Sequence, residues 1–333
     1  MIGGYHQEGP KRGKLVLAVV GGGLIVTCAV ATVVFMRSPL DTIAAFLQPT
    51  SIPTATSTST PTQTPASTPV PTSTSTPPPE IIEPQDRHWL GRPFQTENNN
   101  EPTRFYLYGS TAGGRYRIHH GADFPNPFGT PVLAVAKGRV IAAGPDDRIV
   151  YGERVGFYGQ LVILQLDQQY HGQKVYVLYG HLSQIHVHFL QQVQEGDIIG
   201  EVGMTGVAIG PHLHLEVRVG QNTYHDTRNP ELWLRPLPTR GTIAGQLLDS
   251  QGRLIPEQSI TFHRRETPDR RWQDLTTYPV SEVNPDDGWG ENFVLGNVPV
   301  GDYMVKVYVD GHLYGADVSV TEGDTSFLTI EAR

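Results

Sequence analysis

Between Pro49 and Pro79 the chain is almost wholly Ser, Thr and Pro, including the run TATSTSTPTQTPASTPVPTSTSTPPP, and this stretch limits everything around it. A segment so poor in apolar surface cannot offset the entropy of ordering, so it belongs to no packed domain. Pro-rich chain extends at about 3.1 Å per residue, which gives this arm a reach on the order of 100 Å. Any fold must lie wholly before it or wholly after it.

Before it, Leu15 to Met36 reads LVLAVVGGGLIVTCAVATVVFM without a single charge. About 20 such residues suffice to cross a bilayer as one helix. Lys11, Arg12 and Lys14 precede the run, and only Arg37 and then Asp41 come after it. That bias puts the N-terminus in the cytoplasm and everything beyond Arg37 outside. A cleaved signal peptide is the competing reading, but its apolar core is shorter and ends in small residues, whereas this run ends Val-Val-Phe-Met-Arg. The expected plan is a cytoplasmic tail (1–14), a single-pass anchor in the cytoplasmic membrane (15–36) and a disordered Ser/Thr/Pro linker (37–85). The residues beyond the linker are then extracytoplasmic.

Charge and cysteine content narrow the chemistry. The net charge of −8 leaves no basic footprint for nucleic acid. The sole cysteine, Cys28, lies inside the apolar run, so there is neither a disulfide framework nor a thiolate metal site. Any metal must be held by carboxylates and by some of the 13 histidines.

From about Arg104 the sequence becomes short β-rich runs between glycines, such as PVLAVAKGRVIAAG, QLVILQLD, KVYVLYGHL and HLHLEVRV. No segment sustains a helical period, so residues 86–237 read as an antiparallel, mostly β domain and the fold class as all-β. Histidines cluster where these runs begin or end. In Gly-Pro-His212-Leu213-His214-Leu215-Glu216 the strand period sets His212 and His214 on one face and the leucines on the other. In His119-His120-Gly121-Ala122-Asp123, Gly121 and Pro125 oppose a helix. An extended chain would put His119 and Asp123 on one side, with Gly121 leaving room between them. His181 closes the run that ends Tyr179-Gly180-His181-Leu182-Ser183. Imidazole and carboxylate are both zinc ligands, and two His with one Asp leave a fourth position for water, as in catalytic sites.

HxGxD, a Tyr-x-His-Leu-Ser strand end and G-x-x-x-GPHLH, in this order, resemble the M23 (LytM/lysostaphin-like) family of peptidoglycan metallo-endopeptidases, over about Phe105 to Trp233. The resemblance implies that His119, Asp123 and His214 hold Zn2+ and that His181 and His212 flank the metal as proton-transfer and oxyanion-stabilising groups. It implies a peptidoglycan peptide as substrate. It also carries an alternative, since relatives that have lost zinc ligands act as non-catalytic regulators of other wall hydrolases. Here the ligand set is complete. Gly180 stands where Ala is common, Met204 and Ala208 replace small polar residues, and extra residues lie between His181 and Glu195. A third class, a β-rich adhesion or scaffold protein, leaves the three ordered clusters unexplained.

The remaining histidines carry no expected role. His186 and His188 fall in the apparent insertion, His120 faces away from His119, His171 sits in a hairpin turn, and His225 lies near the domain's exit. After the short linker RPLPTRG, residues 241–333 show regular strands with Asp/Gly turns. The segments GTIAGQLLDSQG and FVLGNVPVGDY resemble the carboxypeptidase regulatory-like (transthyretin-like) β-sandwich family, a resemblance that implies a scaffold and no chemistry. Trp272 and Trp289 are read as core packing ahead of an exposed wall-binding surface, and spacer, stabiliser and weak wall-binding module all stay open as roles for this region.

Overall fold

The computed structural model describes residues 87–333. The expected tail, anchor and linker lie outside those residues. Among the described residues, no helix is long and apolar enough to cross a membrane.

The first part contains strands β1 (Ala122–Pro125), β2 (Pro131–Leu133), β3 (Gly138–Pro145), β4 (Gln160–Tyr170) and β5 (Gln173–Ile185). It continues with β6 (Gln192–Val193), β7 (Ile198–Val202), β8 (His212–Val219) and β9 (Thr227–Arg228). They form one antiparallel sheet in the order β1-β8-β5-β4-β3-β6, with β2 and β7 paired beside β5 and β9 beside β8. Alternation gives the central strands two different faces. Val162, Leu164, Val177, Tyr179, Leu213, Leu215 and Val217 fill the main core on one side. On the other side a small cluster around Tyr158, Ile163, Tyr176 and Leu178 borders the polar residues of β8.

The second part comprises β10 (Arg240–Leu248), β11 (Ser259–Arg264), β12 (Arg271–Thr276), β13 (Phe293–Pro299), β14 (Gly301–Val309), β15 (His312–Val320) and β16 (Thr325–Glu331). Sheet β13-β10-β16 and sheet β12-β11-β14-β15 enclose one core of Ile243, Phe262, Phe293, Leu295, Val305 and their neighbours. The β10–β16 pair is parallel, and every other pair in these two sheets is antiparallel.

The two parts share buried surface. Leu90, Trp233 and Leu234 belong to the same apolar cluster as Ala244, Tyr278, Val283 and Val294. Asn297, in a left-handed conformation at φ 50°, accepts hydrogen bonds from Arg92 at 2.6 Å and from the Leu237 amide at 3.0 Å. The Pro-containing connection is therefore tied down at its start. Trp289 packs edge-on against Phe327 and Trp272 lies against Tyr303, both partly buried against the cores.

Candidate functional site

Strand register brings the first two ligand candidates together. Asp123 on β1 is the direct cross-strand partner of His214 on β8, and on the other side of β8 Gly180 is opposite His214. Cross-strand partners point to the same face, so the Asp123 carboxylate lies beside the His214 ring. His214 Nδ1 is 2.8 Å from Asp123 Oδ1. The expected five-residue extended stretch is strand only from Ala122 onward. His119 precedes it in a loop, held by backbone hydrogen bonds to Gly109 and Ser110. Its Nε2 still reaches Asp123 Oδ1 at 3.1 Å and His214 Nδ1 at 3.2 Å. Gly121 makes this possible, because a Cβ there would meet the Leu215 carbonyl at 2.5 Å and the His214 ring at 2.7 Å.

The donor set fits zinc. One atom each from His119, Asp123 and His214 converge as a group able to hold a metal ion. A tetrahedral shell with bonds near 2.0–2.1 Å sets its donors about 3.3 Å apart, so separations of 2.8, 3.1 and 3.2 Å call for only a slight expansion. Each ring is fixed by its other nitrogen, which leaves the first as the ligand atom. His119 Nδ1–H donates to the Tyr106 carbonyl at 2.8 Å, and the Tyr106 ring stacks on the imidazole at 4.1 Å. His214 Nε2–H donates to Glu216 Oε1 at 3.0 Å.

Glu216 was not singled out in the sequence, and neither was the group behind it. It is fully buried, accepts from Tyr158 Oη, and accepts at 2.8 Å from Nε of Arg218, also fully buried. His212, His214, Glu216 and Arg218 thus occupy one face of β8. The readable signal was that the alternation noted for the two histidines continues through Glu216 and Arg218. Burial disfavours the Glu216 carboxylate, but Arg218 and His214 outweigh it and hold its pKa at about 2. Burial likewise works against charge on Asp123, yet His119 and His214 hold that carboxyl well below its usual range. On His214, burial favours the neutral ring, and Asp123 and Glu216 overcome it to raise the pKa to about 9.

The other two candidates stand beside this set. The ring centroids of His181 and His212 are 4.8 Å apart, and His212 Nε2 is 3.7 Å from Asp123 Oδ1. His181 has a left-handed backbone, φ 63°, and its amide donates to the Tyr158 carbonyl at 2.9 Å. Its Nδ1–H donates to the Thr205 carbonyl at 2.8 Å. Thr205 is itself pinned, its hydroxyl donating to the Leu182 carbonyl and accepting from the Gln160 amide, both at 2.9 Å. Gly159 and Gly206, both with positive φ, let these loops touch, since a Cβ on either would come within 2.5 Å of the other's amide nitrogen. His212 Nδ1–H donates to the Gly210 carbonyl at 2.7 Å. Both rings therefore turn a free Nε2 inward. Burial, then the neighbouring His214 and His212, lower the His181 pKa to about 3, so this ring stays neutral at ordinary pH.

All five residues line one cavity of about 600 Å³, a size typical of ligand sites. The histidines left without a role lie elsewhere or pack. His120 is buried, bonds Thr227 at 3.1 Å and stacks on Tyr224, and burial lowers its pKa to about 4. His171 takes the expected hairpin turn at φ 47°. His186 faces Glu201 at 3.1 Å. The Gly180 departure has a local meaning, as a Cβ there would press on Tyr158 at 3.0 Å.

Residues 117–227 match the family model of Peptidase family M23. The DD-carboxypeptidase/endopeptidase Mpg of Neisseria meningitidis is 39% identical over 107 residues, 31% of this chain and 21% of that protein. The peptidoglycan DD-endopeptidase ShyA of Vibrio cholerae is 32% identical over 136 residues, 41% of this chain and 26% of that protein. Lysostaphin of Staphylococcus simulans is 31% identical over 207 residues, 59% of this chain and 37% of that protein. The chain thus spans between a fifth and two fifths of the length of these relatives. Among solved structures, the catalytic domain of lysostaphin from Staphylococcus simulans aligns with a TM-score of 0.31 at 29% identity, covering 39% of this chain and 86% of that one. The chain carries a Peptidase M23 domain with a His-Asp-His cluster able to bind a metal.

Proposed function

We propose that this chain is a membrane-anchored zinc endopeptidase that hydrolyses peptide cross-links of bacterial peptidoglycan. The observation that carries the reading is the convergence, in one cavity, of His119, Asp123 and His214 as a ligand set and of His181 and His212 as two further inward-facing imidazoles. The Vibrio cholerae relative described as a peptidoglycan DD-endopeptidase supports the substrate class.

Zinc, when bound, supplies Lewis acidity towards a peptide carbonyl and makes water nucleophilic near neutral pH. The protein's own part is positional and acid–base. Tyr106 and Glu216 fix the two rings so that His119 Nε2 and His214 Nδ1 face Asp123. His181 enters the reaction neutral, with Nε2 free because Nδ1–H is committed to Thr205. The pair His181 and His212 takes up the proton that water loses as it adds to the carbonyl and returns one to the leaving amine nitrogen. The member of the pair that carries a proton stabilises negative charge on the carbonyl oxygen. Outside the described residues, the uncharged run at 15–36 supports anchoring, with the peptidase domain extracytoplasmic.

The test is digestion of purified peptidoglycan by the full-length chain and by His119→Ala, with released fragments identified by mass spectrometry. New free amines at a defined peptide bond are expected from the wild type alone, lost with a chelator and restored by zinc. Zinc binding without any cleavage would move the regulatory reading ahead of the catalytic one.

A further inference from the structure

The cavity in front of the ligand set has two unlike walls. One consists of Val207, Ala208, Ile209 and Pro211, and is apolar and open, with Val207 51% and Ile209 78% exposed. The other is the segment that includes Phe105, Arg115, Tyr116 and Arg117. Two carboxylates line the cavity, and both are committed inward. Asp123 lies between His119 and His214, and Glu216 is buried against His214, Tyr158 and Arg218. The charges at the rim are cationic, on a chain whose net charge is −8.

The two rim arginines differ. Arg117 is paired with Glu153. Arg115 has no hydrogen bond or ion pair among the described residues; its guanidinium lies over the Phe105 ring at 5.1 Å. Phe105 meets Tyr116 edge-on at 6.2 Å, Tyr116 meets Tyr106 at 5.2 Å, and Tyr106 stacks on His119. A ladder of aromatic rings therefore runs from a ligand histidine to an unpaired cation. A cation held against a ring in this way keeps its N–H groups unused, and a guanidinium with unused N–H groups can take a carboxylate with two parallel hydrogen bonds.

We propose that Arg115 forms a carboxylate subsite at one end of the groove, and that the preferred substrate is a peptide bearing a free carboxylate near the scissile bond, with small aliphatic side chains against Val207 and Ile209. This rests on the endopeptidase reading and deepens it. A bridge built only of glycine offers neither group. The carboxylate can be the α-carboxylate at a chain end or a side-chain carboxylate within the peptide, and the same chemistry recognises both.

The experiment compares kcat and KM of the full-length, zinc-loaded chain on synthetic cross-linked peptides made in matched pairs. In one pair the terminal α-carboxyl is free or amidated, and in the other an internal side-chain carboxyl is free or amidated. One pair is expected to favour the acid by about threefold to fivefold in kcat/KM, mainly through KM, as a charge-assisted contact from an exposed side chain would give. The responding pair identifies the source of the carboxylate. Arg115→Gln should bring that ratio close to one, and Arg115→Lys should keep part of it, retaining charge without the planar fork. Equal rates for acid and amide in both pairs would overturn the subsite while leaving the endopeptidase intact. So would a preference that survives in Arg115→Gln. Cleavage of none of the four peptides would sink the endopeptidase reading and the subsite with it.

Discussion

Replacing Glu216 with Gln keeps the volume of the side chain and removes its charge, so no cavity confuses the result. Three things then change at one buried point. The Arg218 guanidinium, fully buried, loses its counter-charge. Breaking one side of such a pair costs about 3–5 kcal/mol, because a charge is stranded away from water. His214 loses an ionised acceptor at 3.0 Å, and the loss of an outer partner of a ligand histidine weakens metal binding about 10–100-fold. The pH dependence has a definite sign. The Glu216 pKa is depressed from 4.5 to about 2, so its contribution is complete above about pH 4.5 and disappears as pH falls through about 2. Urea unfolding of the metal-free protein at pH 7 reads the first effect, and competition with a chromophoric chelator reads the zinc affinity. The double variant Glu216→Gln/Arg218→Met separates them. Removing the stranded cation should restore much of the stability, while zinc affinity stays low because His214 still lacks its anionic partner. A zinc affinity within about threefold of wild type in Glu216→Gln, against the 10–100-fold expected, would refute the claim that Glu216 sets the ligand ring.

The same geometry sets further outcomes. His181→Ala and His212→Ala should each lower kcat by about 10²–10⁴ with zinc still bound, since neither ring belongs to the ligand set; metal content and single-turnover rates check this. Glu291 reports on the junction between the two parts, where Tyr278 Oη donates to it at 3.3 Å, the Asp286 amide donates at 2.8 Å, and Arg87 pairs with Asp286. Burial, with the Asp286 charge adding to it, lifts the Glu291 pKa from 4.5 to about 8, so the protein holds this proton at neutral pH. Stability tied to it is complete below about pH 4.5 and lost as pH rises through about 8, with a slope of up to about 1.4 kcal/mol per unit. Glu291→Gln should flatten that slope in denaturation curves between pH 5 and 8, and an unchanged slope would assign the titration elsewhere.

The sequence was most informative at the motifs of fixed spacing. HxGxD and HLH name their residues directly, and the period of a strand was enough to set His212 and His214 on one side. The same period carries Glu216 and Arg218 to that side, but an alternating polar face on an antiparallel strand ordinarily means solvent. Nothing local in LHLEVRV says that Tyr158, nearly sixty residues earlier, covers that face and makes it interior. Tyr106 and Thr205 escaped for a related reason, because each holds its histidine through a backbone carbonyl, a group every residue has. The all-β class was legible from alternation and glycine punctuation. The junction between the two parts was not. RPLPTRG has the composition of a flexible connection, and its restraint comes from Asn297, distant in sequence and marked only by a left-handed backbone.

That junction bears on the site through one short segment. Arg104 donates to the Asn297 carbonyl at 3.2 Å, Leu107 sits in the core between the two C-terminal sheets, and Tyr108 Oη accepts from the Asn284 amide at 3.1 Å. Between these anchors, Phe105 and Tyr106 face the cavity, and the Tyr106 carbonyl holds His119 Nδ1. A candidate ligand in a loop needs an external brace, because it lacks the register that a strand gives His214 or Asp123. Here the brace reaches His119 from strands more than a hundred residues further along the chain. The C-terminal sheets therefore brace the segment that forms one wall of the cavity, and the orientation of the His119 ring depends on that wall.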